Sequence, residues 1–426
     1  MTDPGEVLCV TTDSGECDII IIGAGPAGLF CALQVKGAAG RNLRVVVLEK
    51  KAGCGKKLLI TGTGQCNITH CGDIREFFTH YGNHGTFLRP ALLGFTNKNL
   101  ITFFESRGLA MITDAGGKVF PATRKASDVL DLLLTECMQR GVEVRCSEVV
   151  LRIDRGKEVF FVATEAARYT AAQVVIATGG ASYPGTGSTG DGYRFAAELG
   201  QPVTPIRPAL VAVYVCDYLF PHLAGISFEG VQVSLFRDGK KVSRSTGDLL
   251  FTHAGLSGPV ILHLSRYIAA GDMLKVSFVP GMDREIVQKD LVEKIASHGV
   301  RQVRTILSDY HLPERFIKEL LEQAGMPVDL KCAHISKKAR NTLIAHLTEF
   351  PFSVKDVGGF EEAMVTAGGI SLTDVDPKTM ASKRVPGLFF IGEVLDIDGD
   401  TGGYNLQAAF STAFAAARAI KATKNG

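Results

Sequence analysis

The chain has 426 residues, of which 46% are hydrophobic and 21% are charged. This composition is close to the average of globular proteins and excludes a largely disordered chain. Lys and Arg total 46 against 44 Asp and Glu, so no basic field marks a nucleic-acid partner, and no apolar run approaches the roughly 20 residues that span a bilayer. We therefore expect two or three domains, a small-molecule substrate, and neither a nucleic-acid nor a membrane partner.

The cysteines and the first residues of the chain indicate its compartment. The ten cysteines include no Cys-x-x-Cys pair, and the histidines lack zinc-finger spacing, so we expect no metal site. Residues 1–16 lack the positive charge and the apolar core of a signal peptide. Both observations favour a cytoplasmic protein with reduced thiols. The oligomeric state stays open.

The first part of the chain predicts a βαβ unit. Residues 19–22 form a continuous apolar run, typical of a strand buried on both faces, and a helix and a second such strand at 44–50 follow. A helical pattern then covers about 127–140 and leads to the segment VEVRCSEVVLRI (142–153), after which a strand is predicted at 174–177. Strands that alternate with helices indicate a parallel α/β sheet.

The pattern changes twice between about residues 202 and 347. Alternating apolar residues predict a β-hairpin that turns at Asp238 and Gly239, and another strand follows at 274–281. Apolar residues at helical spacing then continue to about 347. The C-terminal part returns to the first style, with a strand (GLFFIGEV) and a helix whose predicted buried face consists of Leu406, Ala409, Phe410, Ala413, Ala417 and Ile420. These changes predict a nucleotide-binding domain that is interrupted by a β segment and a helical segment.

A glycine-rich turn between the first strand and its helix has the pattern Gly23-x-Gly25-x-x-Gly28. Gly23 permits a tight turn, Gly25 lets a pyrophosphate approach the backbone, and Gly28 lets the helix pack closely on the strand. The helix N-terminus attracts the anion. Glu49 ends the next strand, where its carboxylate can accept hydrogen bonds from ribose hydroxyls. This combination predicts a dinucleotide site.

A second glycine pattern, Gly185-x-Gly187-x-x-Gly190, neither follows a strand directly nor precedes a strand-ending acid. We expect it to form a turn over the first cofactor rather than a second dinucleotide site. With a single dinucleotide, FAD is favoured over NAD, because a flavin can stay bound and perform chemistry without a second nucleotide domain. The helix that opens at GGYN near the C-terminus could stabilise the negative charge of a reduced flavin.

The segment after the acid, GCGKKLLITGTGQCNITHC, contains Gly62, Gly64 and Asn67. Such a loop suits close packing against phosphates or the face of a ring. Lys56 and Lys57 are expected to offset the charge of a pyrophosphate, and the alternative is that both are solvated surface lysines.

At this loop the sequence resembles the YhiN/BaiN-like FAD-dependent flavoproteins, which are described as NAD(P)/FAD-dependent or aminoacetone-oxidase-like. The matching stretches are DIIIIGAGPAGL, GKKLLITGTGQCNIT, VVIATGGASYPGTGSTGDGY, LLFTHAGLSGPVIL, VTAGGI and VPGLFFIGEVLDIDGDTGGYNLQAAFSTAFAA. The resemblance implies an α/β fold with a discontinuous FAD-binding Rossmann-like domain of the glutathione-reductase type, an inserted β-barrel-like domain and a small helical domain. The FAD-binding domain is assigned to 17–200 and 359–426, the barrel-like substrate domain to 201–281 and 346–358, and the helical domain to 282–345.

The resemblance also implies which residues hold FAD. They are Gly23, Gly25, Pro26, Ala27, Gly28, Glu49, Lys50, Lys57, Leu58, Gly62, Thr63, Gly64, Cys66, Asn67, Val149, Ala177, Thr178, Gly179, Gly392, Glu393, Asn405, Leu406 and Gln407. The family pattern has Arg where this chain has Gln65, and often Asn at His70. Losing the Arg removes a charge near the flavin, which tilts the expected substrate from carboxylates toward ketones.

The reaction expected from the resemblance is hydride exchange between flavin N5 and a small or medium carbonyl compound. Reduction of a conjugated enone is the first choice, with electrons from NAD(P)H that docks transiently or from a separate reductase. Oxidation of a small amino ketone is the second choice. Tyr404 and His253 are the candidate proton donors, although each also suits a packing or structural role. We expect the substrate between the flavin face and the inserted β segment.

Two further interpretations stay open. Cys66 and Cys71 have a spacing that resembles the redox pair of a thiol–disulfide flavoenzyme, but neither a second nucleotide domain nor a C-terminal His-Pro signature accompanies them. The other interpretation is a non-catalytic flavin-binding or redox-sensing protein. Turnover with any electron acceptor would exclude this non-catalytic interpretation.

Overall fold

The computed structural model describes residues 15–37 and 43–423, so the leader up to residue 14 lies outside the described residues. The described residues form two compact units: the first contains those up to Pro208 and those from Ala363 onward, and the second is Ala209–Glu362. The borders assigned from the sequence were 200/201 and 358/359. Among the described residues, no helix combines the length and the apolar character needed to cross a membrane.

The first unit begins with strands and helices in alternation. In chain order they are β1 (Gly15–Ile22), α1 (Pro26–Lys36), β2 (Val45–Leu48), α2 (Lys56–Ile60), β3 (Thr69–His70), α3 (Gly85–Gly94), α4 (Asn97–Glu105), β4 (Met111–Thr113), β5 (Lys118–Pro121), α5 (Ala126–Gln139), β6 (Glu143–Arg145), β7 (Val150–Arg155), β8 (Phe160–Thr164), β9 (Arg168–Ile176), α6 (Asp191–Glu198) and β10 (Val203–Ala209).

The second unit contains strands first and then mostly helices, and the chain afterwards returns to the first unit. The second unit comprises β11 (Val213–Val215), β12 (Ser227–Arg237), β13 (Lys240–Phe251), β14 (Gly255–Ser257), α7 (Pro259–Leu264), β15 (Met273–Ser277), α8 (Arg284–Ser297), α9 (Val303–Ser308), α10 (Glu314–Gln323), α11 (Lys337–Glu349) and β16 (Phe350–Val357). The returning part comprises β17 (Val365–Ile370), β18 (Leu388–Phe390) and α12 (Tyr404–Thr423).

The main sheet of the first unit has the order β6-β2-β1-β9-β8-β7, and β18 also pairs with β9. Strands β6, β2, β1, β9 and β18 are parallel, whereas β7 and β8 form an antiparallel extension at one edge. Ile20 of β1 lies between Val46 and Val174, and all three side chains are fully buried. A strand enclosed on both faces accounts for the continuous apolar run in the sequence.

The predicted elements of the first unit are present. The segment 142–153, for which no element was named, forms two strands, β6 and β7, which lie at opposite edges of the sheet. Residues 146–149 connect them, and in this connection the N–H groups of Ser147 and Glu148 donate to the carbonyl oxygens of Lys51 and Glu49 at 3.0 and 2.9 Å. The small sheet of β3, β5 and β4 was not predicted, because its strands are short and have no clear period.

The second unit, whose residues are all described, contains a closed barrel with the strand order β11-β14-β13-β12-β15-β16. The predicted hairpin is the β12–β13 pair, and its turn lies at Asp238 and Gly239 as expected. Their φ angles are 49° and 73°, and a two-residue hairpin turn of type I′ requires positive φ at both positions.

The helices of the second unit share one hydrophobic core with the barrel. Phe316 of α10 is fully buried, and its ring centroid lies 4.8 Å from that of Phe228 and 4.5 Å from that of Phe278. Aromatic pairs at such distances pack edge to face or tilted and bury large apolar areas. The structure therefore joins the barrel and the helices 282–345 in one unit, where the sequence analysis assigned two domains.

Candidate cofactor site

A cleft opens in the first unit at the carboxyl ends of parallel strands. Its wall includes Gly23 after β1, Glu49 after β2, Ala177 after β9 and Gly392 after β18. Ligands of open parallel sheets bind outside the carboxyl ends of the strands, because loops and helix N-termini converge there. The position of the cleft is therefore that of a nucleotide site.

The three glycines of the first turn differ in what surrounds them. A Cβ on Gly23 would lie 2.5 Å from the Ala177 carbonyl oxygen, and a Cβ on Gly28 would lie 2.0 Å from the Gly23 carbonyl oxygen. Gly23 also has a φ of 106°, which side chains rarely tolerate. A Cβ on Gly25 would meet no atom within 4 Å, and Gly25 lines the cleft. Gly23 and Gly28 therefore shape the turn, while Gly25 leaves space for a ligand.

The start of α1 offers backbone donors to an anion. The N–H of Leu29 donates to the carbonyl oxygen of Gly25 at 3.0 Å. The N–H groups of Ala27 and Gly28 come before this hydrogen bond and have no acceptor within the helix. Among the described residues, no side chain caps this end, and Pro26 occupies the first helical turn. Unbonded N–H groups and the helix dipole together favour a bound phosphate.

Glu49 holds its carboxylate at the edge of the cleft through two backbone donors. Its Oε2 accepts the N–H of Ala24 at 2.9 Å, and its Oε1 accepts the N–H of Lys51 at 2.9 Å. A carboxylate oxygen has a second lone pair, so both oxygens can accept one more hydrogen bond. This arrangement fits the paired hydroxyls of a ribose, as the sequence predicted.

Lys57 lines the cleft, but its charge is already paired. Its Nζ lies 2.7 Å from Oε2 of Glu393, another lining residue. The Oε1 atom of Glu393 also accepts the N–H of Thr366 at 2.9 Å and the hydroxyl of Ser182 at 3.1 Å. The expectation that Lys57 offsets a pyrophosphate charge is therefore not supported, because Glu393 neutralises it. Lys56 is exposed on the cleft wall.

Lys50 and Val149 line a smaller pocket next to Glu49 rather than the main cleft. The Nζ of Lys50 lies 2.5 Å from Oδ2 of Asp191 at the start of α6. This ion pair holds the ammonium group against the protein. Lys50 thus connects the loop after β2 to α6. The structure gives no support for a direct contact between the Lys50 side chain and the cofactor.

The loop after α2 lies beside the cleft. Gly62, Thr63 and Gly64 have φ angles of 55°, 55° and 87°, so the chain reverses sharply there. Leu58 and Thr61 are lining residues, whereas Gly62, Thr63 and Gly64 are absent from the described residues that line the cleft. The loop predicted to contact the cofactor thus lies next to the cleft, and a contact from Gly62, Thr63 or Gly64 stays a prediction.

Cys66 and Asn67 fix this loop from within. Cys66 is fully buried, and burial raises the pKa of its thiol to about 12. The side-chain amide of Asn67 donates to the carbonyl oxygens of Thr69 at 2.9 Å and Val119 at 3.1 Å. Both side chains are therefore structural, and the buried Cys66 thiol is poorly suited to exchange with Cys71.

A cation lies next to Gln65 despite the missing family Arg. Arg124 stacks over the ring of Phe120 at 4.1 Å and donates from Nη1 to Oε1 of Gln65 at 3.1 Å. The loss of the Arg at position 65 was the reason to favour ketones over carboxylates. Because Arg124 places a guanidinium group beside Gln65, the missing Arg no longer favours ketones over carboxylates.

The start of α12 contributes Asn405 and Leu406 to the cleft wall. The Asn405 side chain closes its own loop, since its Oδ1 accepts the N–H of Gly399 at 2.7 Å and its Nδ2 donates to the Gly399 carbonyl at 2.9 Å. Gln407 was predicted to contact FAD but is fully buried away from the cleft. It accepts from Thr69 Oγ1 at 2.7 Å and donates to the Phe95 carbonyl at 3.1 Å, so it holds β3 and the α3–α4 connection against α12.

The two candidate proton donors occupy different units. His253 is exposed between β13 and β14 of the barrel. Tyr404 is buried, its ring is stacked on His80 at 3.9 Å and on His70 at 5.7 Å, and it does not line the cleft. Burial and, after it, the Asp400 carboxylate raise the pKa of Tyr404 to about 12. This placement favours the packing role for Tyr404.

The cleft is also lined by residues that were not predicted to contact the cofactor. They are Gly53, Gly55, Thr61, Thr186, Ser188, Met364, Val365, Ile391, Ile397, Ala408, Ala409 and Thr412. Gly187 belongs to the second glycine pattern, which is a turn on the wall of this same cleft, as expected. Small residues at helical spacing on α12 were a usable signal for Ala408, Ala409 and Thr412. The others have no pattern that separates them from ordinary loop residues.

The donor set of this cleft fits FAD, with backbone N–H groups for a pyrophosphate, a carboxylate for a ribose and a mainly apolar remainder. The sequence matches the family described as HI0933-like protein Rossmann domain over residues 17–419. Ribosomal RNA dihydrouridine synthase of Escherichia coli (strain K12) is 33% identical over 96% of this chain and 99% of its own. The 3-dehydro-bile acid delta(4,6)-reductase of Clostridium scindens is 30% identical over 94% of this chain and 98% of its own.

A solved structure shares the fold. The FrdA chain of a quinol fumarate reductase from Escherichia coli superposes with a TM-score of 0.50 at 16% identity, covering 97% of this chain and 72% of that chain. At this identity the likeness concerns the fold alone.

Proposed function

The chain belongs to the HI0933-like family and is an FAD-dependent oxidoreductase, and from that premise we propose that it reduces a carbon–carbon double bond conjugated to a carbonyl group. The observation that carries the proposal is the bond shared by the substrates of two full-length relatives. Dihydrouridine differs from uridine by two hydrogens across a ring double bond conjugated to a carbonyl. The bile acid name describes double bonds in conjugation with a 3-oxo group.

The roles of this chain follow from the cleft. When bound, FAD supplies the hydride chemistry. The start of α1 binds the pyrophosphate, and Glu49 orients the ribose. The Lys57–Glu393 pair stays neutral beside the cofactor and ties α2 to β17 through the N–H of Thr366. A conjugated acceptor needs a donor for its carbonyl oxygen and a proton for the far carbon.

The electron donor that we propose is NAD(P)H. The chain has one dinucleotide fingerprint, and its second glycine pattern lines the same cleft. NAD(P)H would therefore dock transiently rather than occupy a domain of its own.

Two substrate classes are consistent with this reaction. A small or medium enone is our first choice, because the formal net charge is only +2 and a nucleic-acid partner calls for a basic surface. A uridine in RNA is the second choice, because the relatives from Escherichia coli and Haemophilus influenzae, at 33% and 32% identity, carry the name of a ribosomal RNA enzyme.

The test is anaerobic mixing of the reduced holoenzyme with separate acceptors: a cyclic enone, a uridine-containing ribosomal RNA fragment, a fumarate-like diacid and a disulfide. Reoxidation by the enone supports our first choice, and reoxidation by the RNA supports the second. Rapid reoxidation by the diacid or the disulfide, with the enone and the RNA inert, would contradict the proposed reaction. Reduction of the oxidised holoenzyme by an amino ketone, followed by reoxidation with oxygen, would favour the oxidase alternative.

A further inference from the structure

Two cysteines that are 92 residues apart in the sequence meet beside the cofactor cleft. The Sγ atoms of Cys54 and Cys146 lie 3.4 Å apart, and both cysteines are free thiols. Cys54 belongs to the loop that follows β2, and Cys146 is the first residue after β6. Neither cysteine has a role in the cofactor contacts described above.

The backbone keeps these two segments together. Strands β2 and β6 are parallel neighbours, with Leu48 opposite Arg145. Beyond that pair, the Glu49 N–H donates to the Arg145 carbonyl at 2.8 Å, and the Ser147 N–H donates to the Lys51 carbonyl at 3.0 Å. The approach of the two sulfurs is thus set by strand pairing that continues into the loops, and not by side-chain rotamers alone.

The two sulfurs differ in their surroundings. Cys146 is exposed, whereas Cys54 is partly buried. Burial, and after it the hydrogen bond with Cys146, raises the pKa of the Cys54 thiol to about 12. Because it is exposed, Cys146 is the sulfur that a reagent from solvent meets first. Such a pair has an attacking and a resolving member.

The loop of Cys54 contributes directly to the cleft. Gly53 and Gly55, on either side of Cys54, both line the cleft wall. The N–H of Gly55 donates to the Ala24 carbonyl at 3.0 Å, which joins this loop to the glycine turn of the cofactor site. A covalent bond at Cys54 would fasten this part of the wall to the end of β6.

We propose that Cys54 and Cys146 form a reversible disulfide by exchange with a low-molecular-weight disulfide, and that this bond slows the release of the bound dinucleotide. The Cys146 thiolate attacks the small disulfide, forms a mixed disulfide and releases one thiol. Cys54 then gives up its proton and its sulfur attacks the sulfur of Cys146, and the second small thiolate leaves and takes up that proton. The two protons and two electrons that leave the cysteines end on the two released thiols. The sulfurs must approach to about 2.05 Å, and the flanking glycines give the loop freedom to move.

The first experiment maps the bond. The holoenzyme is incubated with oxidised glutathione, remaining thiols are alkylated, and the digest is analysed by mass spectrometry. We expect a peptide pair linked through Cys54 and Cys146 that dithiothreitol separates. Cys54→Ser should leave Cys146 as a mixed disulfide with glutathione, while Cys146→Ser should leave Cys54 a free thiol. The control Cys216→Ser, which removes an exposed cysteine of the second unit, should keep the linked pair.

The second experiment measures the release of FAD after dilution, from the increase in flavin fluorescence. We expect severalfold slower release from the oxidised wild type than from the reduced wild type, and no difference between oxidised and reduced Cys146→Ser. Absence of the linked peptide, or linkage of Cys54 to another cysteine, would overturn the site. A linked protein that releases FAD at the same rate or faster would overturn its effect. Both readouts are independent of the substrate proposed above.

Discussion

The glycine turn after β1 and the start of α12 both contribute to the cleft wall, but they use their polar groups differently. At the turn, the N–H groups of Ala27 and Gly28 and the carboxylate of Glu49 keep capacity for a ligand. At α12, the side chains of Asn405 and Gln407 are bonded to other parts of the protein. Resemblance therefore identifies a segment that lies near the cofactor, while the hydrogen bonds within the protein decide which of its residues remain available to bind it.

The largest effects are expected at the glycine turn. Gly28→Val should unfold or severely destabilise the first unit, by about 3 kcal/mol or more, because its side chain would overlap the Gly23 carbonyl. Gly25→Val should fold but lose FAD, because its side chain would enter the space next to the helix start. Thermal melting and cofactor content after purification distinguish the two outcomes. A Gly25→Val protein that retains FAD would contradict the assignment of this turn to the pyrophosphate of FAD.

Glu49→Gln should weaken FAD binding while the fold persists. Hydrogen bonds to a charged group contribute about 1.5–3 kcal/mol, which corresponds to a roughly 10- to 150-fold larger dissociation constant. Titration of the apoprotein with FAD measures the effect. Glu198→Gln is the matched control, since Glu198 forms a surface ion pair with Arg194 on α6 at 2.9 Å. Equal FAD affinities of the two variants would contradict the assignment of Glu49 to the cofactor site.

Gln407→Leu should lower stability and leave FAD affinity unchanged. The substitution removes a donor and an acceptor from a fully buried position, at a cost of about 1–3 kcal/mol in the free energy of unfolding. Denaturant unfolding and FAD titration are measured on the same preparation. The surface variant Gln323→Leu on α10 serves as the control. Weaker FAD binding without a loss of stability would restore the contact that the sequence analysis assigned.

Tyr404→Phe should retain turnover and change stability at alkaline pH. Burial raises the pKa of Tyr404 to about 12, above its ordinary value of 10.0, so the folded state binds the proton more tightly than the unfolded state. The stability contributed by this group is present below pH 10 and is lost as the pH rises toward 12. The variant should therefore lose stability less steeply between pH 10 and 12 than the wild type. Loss of turnover with FAD bound would make Tyr404 a catalytic residue.

Cys71→Ser should have the smallest effect. Cys71 is exposed, and its expected partner Cys66 is fully buried with a raised pKa, so no catalytic disulfide between them is expected. Activity with the best acceptor from the panel provides the measurement. A variant that binds FAD but no longer turns over would instead support the thiol–disulfide interpretation.

What the sequence could predict follows from the range of the interactions. The turn at Gly23, the hairpin at Asp238 and the helix α12 depend on neighbouring residues, and all three were predicted from local pattern. The split of 142–153 into two strands depends on the position of that segment in the whole sheet, which no local period reports.

The same limit applies to the site. The pairing of Lys57 with Glu393 and the contact between Cys54 and Cys146 join residues far apart in the chain. Such contacts arise from the strand order β6-β2-β1-β9, with β18 paired to β9, so they become visible once the sheet is assembled.

The central claim, reduction of a double bond conjugated to a carbonyl, is tested most directly by a single turnover with matched ketones. Reduced holoenzyme is mixed anaerobically with an enone and, separately, with its saturated ketone, and the products are identified by mass spectrometry. We predict one equivalent of saturated ketone per oxidised flavin from the enone, with the saturated ketone unchanged. An alcohol formed from either compound, with the enone double bond intact, would contradict the account.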